Sequence, residues 1–364
     1  MIKTIITFMI FCITLFFYLH IFFHLKTSDD LEIYTIEQPS KDRLEEICDL
    51  KQPVIFSFEN DDILNVCNLN NFKEKYGIFD MKVRNLNVKG NGDDILYLPL
   101  SLDETLELFG HEDNHKMITE NNQEFLKETG AIKFLNYNDI FLRPPLVSKC
   151  MYDIMSGSEL SYTPLRYEIN YRNYFFVTEG KITVKLIPNK YKKYLNVKKD
   201  YENFEFRSNI NPWDVQSEHK MQYSKIKALD VEIQKGSVLC LPPYWLYSIR
   251  YDEPSTCIGK FQYRTYMNTV SIFPELFISF LQNQNIKYTF SSTKEDTPKK
   301  KYRSGNNIIH NNNEKEEIIN EMLLESNEIL NKKLESDKKD KKKEEGEEGE
   351  KKEEIQKIVP ANSD

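Results

Sequence analysis

The 364-residue chain carries 49 Lys and Arg against 57 Asp and Glu, a formal net charge of −8, with 13% aromatic and 40% hydrophobic residues. That apolar content is ample for a folded body with its own core. The acidic balance argues against a nucleic-acid partner, which would require a basic face to neutralise phosphates.

The first element is the apolar run IITFMIFCITLFFYLHIFFHL, Ile5 to Leu25, which contains no Asp, Glu, Lys or Arg. A helix of that length crosses a hydrocarbon core of roughly 30 Å, so residues 1–26 are read as an uncleaved single-pass membrane anchor. A cleaved signal peptide is the rival, but its apolar core is usually ~7–15 residues and ends in small residues, whereas Phe22, Phe23 and His24 close this one. Lys3 before the run, against Lys26, Asp29 and Asp30 after it, only weakly favours a cytoplasmic N-terminus. The chain has no Asn-x-Ser/Thr glycosylation acceptor, and its cysteines beyond Cys12 form an odd set without framework spacing, more like reduced thiols. These signals pull in opposite directions, and the side of the membrane stays undecided.

Residues 27–150 read as an α+β lead-in. LEIYTIEQ and PVIFSF have strand character, and between them PSKDRLEEICDL is a short helix with Ser40 as its N-cap. Further on come the strand MKVRNLNV, a turn at KGNGDD, and the helical stretches SLDETLELF and NNQEFLKETG. His111 and His115 fall in HEDNH, which matches the zinc-protease pattern H-E-x-x-H. With Gly110 before it and Asp113 and Asn114 inside it, the segment suits a turn better than a buried helix, so it is read as a chance match.

From 151 to 270 short strands follow one another: YDIM, LRYEIN, YFFVTEG, ITVKLIP, LDVEIQKG, SVLCLPP, WLYSIRYD and CIGKFQYRTY. Their number and length predict a closed or sandwiched β-fold. PELFISFLQNQ then predicts an amphipathic helix over 271–292, a candidate homodimer contact. Residues 293–364 are charged and of low complexity, a disordered tail, with a possible amphipathic helix at 314–335 carrying Ile319, Met322, Leu323, Leu330 and Leu334.

Two blocks in the β-region carry the chemistry. TPLRYEINYRNYFFVTEGKITVKLIP and, some fifty residues on, KGSVLCLPPYWLYSIRY resemble the JmjC and asparaginyl-hydroxylase branch of the cupin superfamily. In that family the first block reads T-P-L-H-x-D and the second G-D-x-L-x-I-P-x-x-W-x-H. The entry IYTIEQPSKDRLEEICDLKQPVIF is similar too, and the resemblance covers about 32–285. Together with the span, TPLRYEINYRNY, LIPNKYKKYL and PPYWLYSI look most like the cupin-like proteins of giant DNA viruses.

The resemblance implies a double-stranded β-helix (a cupin or jelly-roll fold), mainly β with the α+β lead-in, holding Fe(II) by His, Asp/Glu and a distal His beside 2-oxoglutarate. Carried over by position, the proximal His becomes Arg166, the acid Glu168 and the distal His Tyr247. The family's co-substrate lysine falls on Ile182, and Thr163 alone keeps a typical co-substrate residue. Thr163, Ile182, Tyr174 and Trp245 make up the candidate ligand pocket, although Trp213 and Trp245 read first as core or rim aromatics.

Arginine has no lone pair to give a metal, and a phenol with a pKa near 10 is a poor substitute for imidazole. Arg166 is therefore expected to lie against the Glu168 carboxylate where the cation sat, with Tyr247 donating to that carboxylate. His219 and His310 fall in predicted loops and are not obvious replacements. The expectation is a membrane-anchored, non-catalytic binding or scaffold protein without metal or cofactor. The alternative is an Fe(II)/2-oxoglutarate protein hydroxylase or demethylase with an atypical site. Cys240 and Cys257 are expected to be buried free thiols on neighbouring strands.

Overall fold

A computed structural model describes residues 1–86, 97–110 and 116–293. The KGNGDD turn, the HEDNH segment, His310 and the tail with its 314–335 helix lie outside the described residues. The first helix, α1 (Ile2–Leu25), is long and apolar enough to cross a membrane, and none of its apolar window is buried against the protein. Its C-terminal part meets the body: His24 packs on the Tyr171 ring, Lys51 Nζ donates to the Phe23 carbonyl at 3.4 Å, and the helix lies beside the segment Tyr266–Ser271.

The lead-in supplies strands β1 (Tyr34–Ile36), β2 (Val54–Ser57), β3 (Asp80–Asn85), β4 (Tyr97–Ser101) and β5 (Met117–Thr119). Its helices are α2 (Lys41–Cys48), α3 (Asp61–Val66), α4 (Leu69–Tyr76), α5 (Leu102–Gly110), α6 (Gln123–Glu128) and α7 (Ala131–Asn138). Ser40 caps α2 as expected: its Oγ accepts from the Arg43 N–H, and Leu44, Ile47 and Cys48 turn inward one helical turn on.

The β-region follows with β6 (Val147–Gly157), β7 (Arg166–Tyr167), β8 (Arg172–Glu179), β9 (Lys181–Ile187), β10 (Lys198–Asp200), β11 (Glu205–Arg207), β12 (Leu229–Gln234), β13 (Ser237–Leu241), β14 (Leu246–Tyr251) and β15 (Cys257–Thr265). A short helix α8 (Lys220–Tyr223) precedes β12, and α9 (Tyr266–Ser271) and α10 (Phe273–Thr293) close the described chain.

Among the described residues the strands form two sheets. The larger runs β1-β2-β13-β8-β15-β6-β5-β3-β4 and the smaller β10-β11-β7-β14-β9-β12. This is the double-sheet, mainly β architecture that the strand texture predicts. The lead-in is more intimately involved than its composition suggests, because β1 to β5 extend the same large sheet on both sides of the β-region strands.

Period-2 alternation sorts the core. On β8, Phe175 and Val177 point into an inter-sheet core with Ile182, Val184, Trp245, Tyr247 and Ile249, while Tyr174 and Phe176 point to a second core shared with α2 to α7. A strand buried on both faces reads as a continuous apolar run, which is why YFFV shows no polar alternation. Gly180 turns the chain from β8 to β9 at φ +74°, and a Cβ there would meet the Thr256 hydroxyl at 2.5 Å.

Candidate functional site

Arg166 and Tyr247 stand opposite each other in the β7/β14 register, and Glu168 follows two residues after Arg166. All three positions matched to the family triad therefore come together in the barrel interior. The partners of Arg166 differ from those expected. Its Nη2 lies 2.5 Å from Glu120 Oε2, its Nη1 lies 3.1 Å from Glu205 Oε1, and its Nε donates to Tyr247 Oη at 3.2 Å. Arg84, on β3, reaches the same two carboxylates at 3.1 Å and 3.6 Å.

The direct cation on Glu168 is Lys260, from β15, whose Nζ donates to Oε1 at 2.8 Å. Tyr247 donates to the same oxygen at 2.9 Å, as expected. Tyr247 thus links the two halves of the network, accepting from Arg166 and donating to Glu168. The expected Arg166–Glu168 pair is corrected accordingly: the β14 phenol stands between them, and a lysine not singled out in the sequence supplies the charge.

Arg84, Arg166 and Lys260 balance Glu120, Glu168 and Glu205. Burial alone would push Glu120 up, but Arg166 and then Arg84 hold its carboxyl down at about 2. Glu168 likewise sits below the ordinary carboxylate range, since Lys260 and Arg166 outweigh burial. Burial would lower Lys260, yet Glu168 and Tyr247 raise it, and burial keeps Tyr247 a protonated phenol. Beside Lys260 across the β15/β6 ladder, burial lifts Asp153 to about 6 although it accepts from the Asn121 and Asn122 backbone N–H groups. Glu205 Oε2 and Tyr251 Oη have no protein hydrogen-bond partner.

The candidate pocket residues divide. Ile182 and Trp245 line the inter-sheet core, and the Trp245 indole donates to the Ser28 carbonyl at 3.0 Å. Thr163 is stitched to β14: its Oγ1 accepts from the Ile249 N–H at 2.9 Å, and its carbonyl accepts from the Ser248 hydroxyl. Tyr174 does not join the pocket, because it leaves the opposite face of β8 and packs in the helix-side core. Trp213 sits nearer the surface as a rim aromatic, donating to Ser248 Oγ, with Arg250 stacked on its ring at 4.6 Å. His219 lies in the short turn Ser217–His219 beside Glu218.

Four groups of the network, Arg84, Lys260, Glu120 and Glu205, escaped the sequence reading. Lys260 had a signal, since CIGKFQYRT places Lys260, Gln262 and Arg264 in step with inward-facing Ile258. Glu120 follows β5 directly and Glu205 opens β11, and neither sits in a motif.

The triad of the resembled hydroxylases would supply imidazoles to Fe(II), and the residues present do not fit that ion. A guanidinium and a phenol replace the imidazoles, and an ammonium group already contacts the only carboxylate of the three. Among the described residues no three His, Cys, Asp or Glu side chains converge in a way that could hold a metal. What the arrangement can do chemically is hold charge: three cations and three carboxylates, buried and mutually neutralised, fix the two sheets against each other.

A sequence search of curated proteins finds no match. The family model described as a cupin-like domain matches residues 58–268, more than half of the chain and the segment that carries every strand of the two sheets except β1 and β2. The chain belongs to the cupin-like domain family.

Proposed function

We propose that this is a membrane-anchored cupin-like protein whose barrel has exchanged its metal site for an internal ion network, and that it acts by binding or scaffolding. The observation that carries this reading is the Lys260 ammonium on Glu168, with the Arg166 guanidinium held by Glu120 and Glu205. Positive groups at these points repel a second cation, and charges so completely paired are structural before they are catalytic. Within the family we assign the chain, on TPLRYEINYRNY and PPYWLYSI, to the JmjC and asparaginyl-hydroxylase branch and its membrane-anchored viral members.

Two partners follow. The bilayer would take α1, whose side chains are exposed along nearly its whole length. A second copy of the chain would take α10, where Phe273, Phe277, Phe280 and Leu281 form an exposed stripe at i, i+4, i+7 and i+8. Glu205 Oε2 and Tyr251 Oη are the groups that a small polar ligand entering the barrel would meet.

Anaerobic calorimetry of the full chain in detergent with Fe(II) and 2-oxoglutarate tests the metal-free reading. No heat of binding for either is expected. Tight stoichiometric iron uptake, followed by succinate formation, would restore the hydroxylase reading. The α10 contact predicts a dimer by analytical ultracentrifugation that Phe277→Glu converts to monomer.

A further inference from the structure

All six cysteines are free thiols, yet they are not equivalent. Cys240, on β13, does not meet Cys257. It meets Cys48, the last residue of α2, 192 positions away, with the two sulfurs 3.3 Å apart and both side chains buried. A disulfide needs about 2.05 Å, so closure asks for little more than 1 Å of sulfur movement.

The surroundings point to chemistry at this pair. Arg172 is 1% exposed, and its Nη2 contacts Asp49 Oδ1 at 2.5 Å, but its Nε and Nη1 have no hydrogen-bond partner. Buried donors left open are costly, and a guanidinium with two of them calls for an anion. Cys48 is the first of the anionisable groups that act with Arg172, followed by Tyr171, Tyr174 and Cys240. Cys48 lies below the ordinary thiol range, because Cys240 hydrogen-bonds to it and Arg172 attracts its charge, against burial. The Tyr174 hydroxyl, unpartnered by strict geometry, assists from nearby. Burial, and then Cys48 itself, keeps Cys240 protonated. Of the two thiols, Cys48 is the one whose ionisation the surroundings favour.

We propose that Cys48 and Cys240 form a redox-active dithiol site, with Arg172 as its positioning residue, that is oxidised to a disulfide by a small hydroperoxide. The Cys48 thiolate attacks the terminal peroxide oxygen. The O–O bond breaks, the leaving alkoxide or hydroxide takes up a proton, and Cys48 becomes a sulfenic acid. Cys240 sulfur then attacks Cys48 sulfur, the S–O bond breaks, and the Cys240 proton leaves with the hydroxide as water. Two thiols give up two electrons and one peroxide accepts them. Asp49, next to Cys48, is about half exposed at its side chain, so solvent lies one residue from the pair. The same aspartate accepts from Tyr171, whose ring carries His24 of α1, so the disulfide would tie α2 to β13 beneath the root of the anchor.

The test treats the reduced full chain in detergent with hydrogen peroxide, alkylates the remaining thiols and maps peptides by mass spectrometry. Cys67 and Cys257, buried together without a sulfur–sulfur contact, are the internal control. The expected result is a Cys48–Cys240 cross-linked peptide, with Cys67 and Cys257 still alkylated after denaturation. In Cys240→Ser, which keeps a hydrogen-bond donor beside Cys48 and removes the resolving thiol, a sulfenic-acid trap should label Cys48 on the order of tenfold faster than it labels Cys150, in line with thiolate character. Full alkylation of both Cys48 and Cys240 after peroxide, or no trapping on Cys48 in Cys240→Ser, would overturn the proposal.

Discussion

Two buried arginines six residues apart meet opposite fates. Arg166, on β7, spends each of its three nitrogens on Glu120, Glu205 or Tyr247. Arg172, on β8, spends one nitrogen on Asp49 and keeps two open beside a pair of thiols. The first stands at the position matched by resemblance to a metal-binding histidine, and all its nitrogens are paired. The second lies on a strand of the larger sheet, in the same sequence block but at none of the triad positions, and two of its nitrogens have no hydrogen-bond partner. Buried donors without partners mark where an arginine can still act on a neighbour, and full pairing marks where it cannot.

The comparison breaks most sharply at Glu120. Glu120→Ala should cost about 3–5 kcal/mol, because it strands Arg166 and Arg84 in the interior. Thermal unfolding in detergent would measure this, and a loss below 1 kcal/mol would mean that the network is solvated and not closed. The pH dependence has a definite sign. Glu120 is held at about 2 against an ordinary 4.5, so its contribution is complete above pH 4.5 and is lost as pH falls toward 2. Asp153, lifted from 3.8 to about 6, acts in the other direction: its contribution is present below pH 3.8 and is lost as pH rises through 6. Glu120→Gln should flatten the acid limb of a stability–pH curve and leave the limb between pH 4 and 6 in place.

A stabilising substitution is expected on the Arg172 side. Burial first, then Arg172, pushes Lys51 down to about 7, so its charged form is a burden below that pH. Lys51→Met should therefore stabilise by roughly 1–3 kcal/mol at pH 6, with the gain fading between pH 7 and 10.5. Equal gains at pH 6 and pH 10 in denaturant melts would rule out this cause. Ser40→Ala removes the cap of the helix that carries Cys48, at a cost of about 1 kcal/mol. It should also slow cross-linking of the thiol pair if the end of α2 sets the sulfur distance. The smallest effect belongs to the rim: Lys185 pairs with a half-exposed Asp230 at 2.7 Å, and Lys185→Ala should cost only a few tenths of a kcal/mol.

Much of the fold was legible because its signals are local. An apolar run of anchor length, a serine before an amphipathic turn, and β-branched and aromatic runs cut by Gly and Pro all act through near neighbours along the chain. Period 2 also placed Arg166 and Glu168 on one face, and the two motifs brought Tyr247 to them. LRYEIN, read as a six-residue strand, narrows to Arg166–Tyr167, because the Glu168 carbonyl turns to accept from the Tyr244 N–H instead of a ladder partner.

The sequence by itself determined which side chains could not bind iron, since an arginine lacks a lone pair wherever it sits. Only the tertiary structure decided what those side chains do instead. Arg166 finds Glu120 across 46 positions, Glu168 finds Lys260 across 92, and Cys48 finds Cys240 across 192. Contacts at such separations are set by the order of strands in two sheets and by their register. No periodicity along the chain encodes these, because each depends on which strand comes to lie beside which.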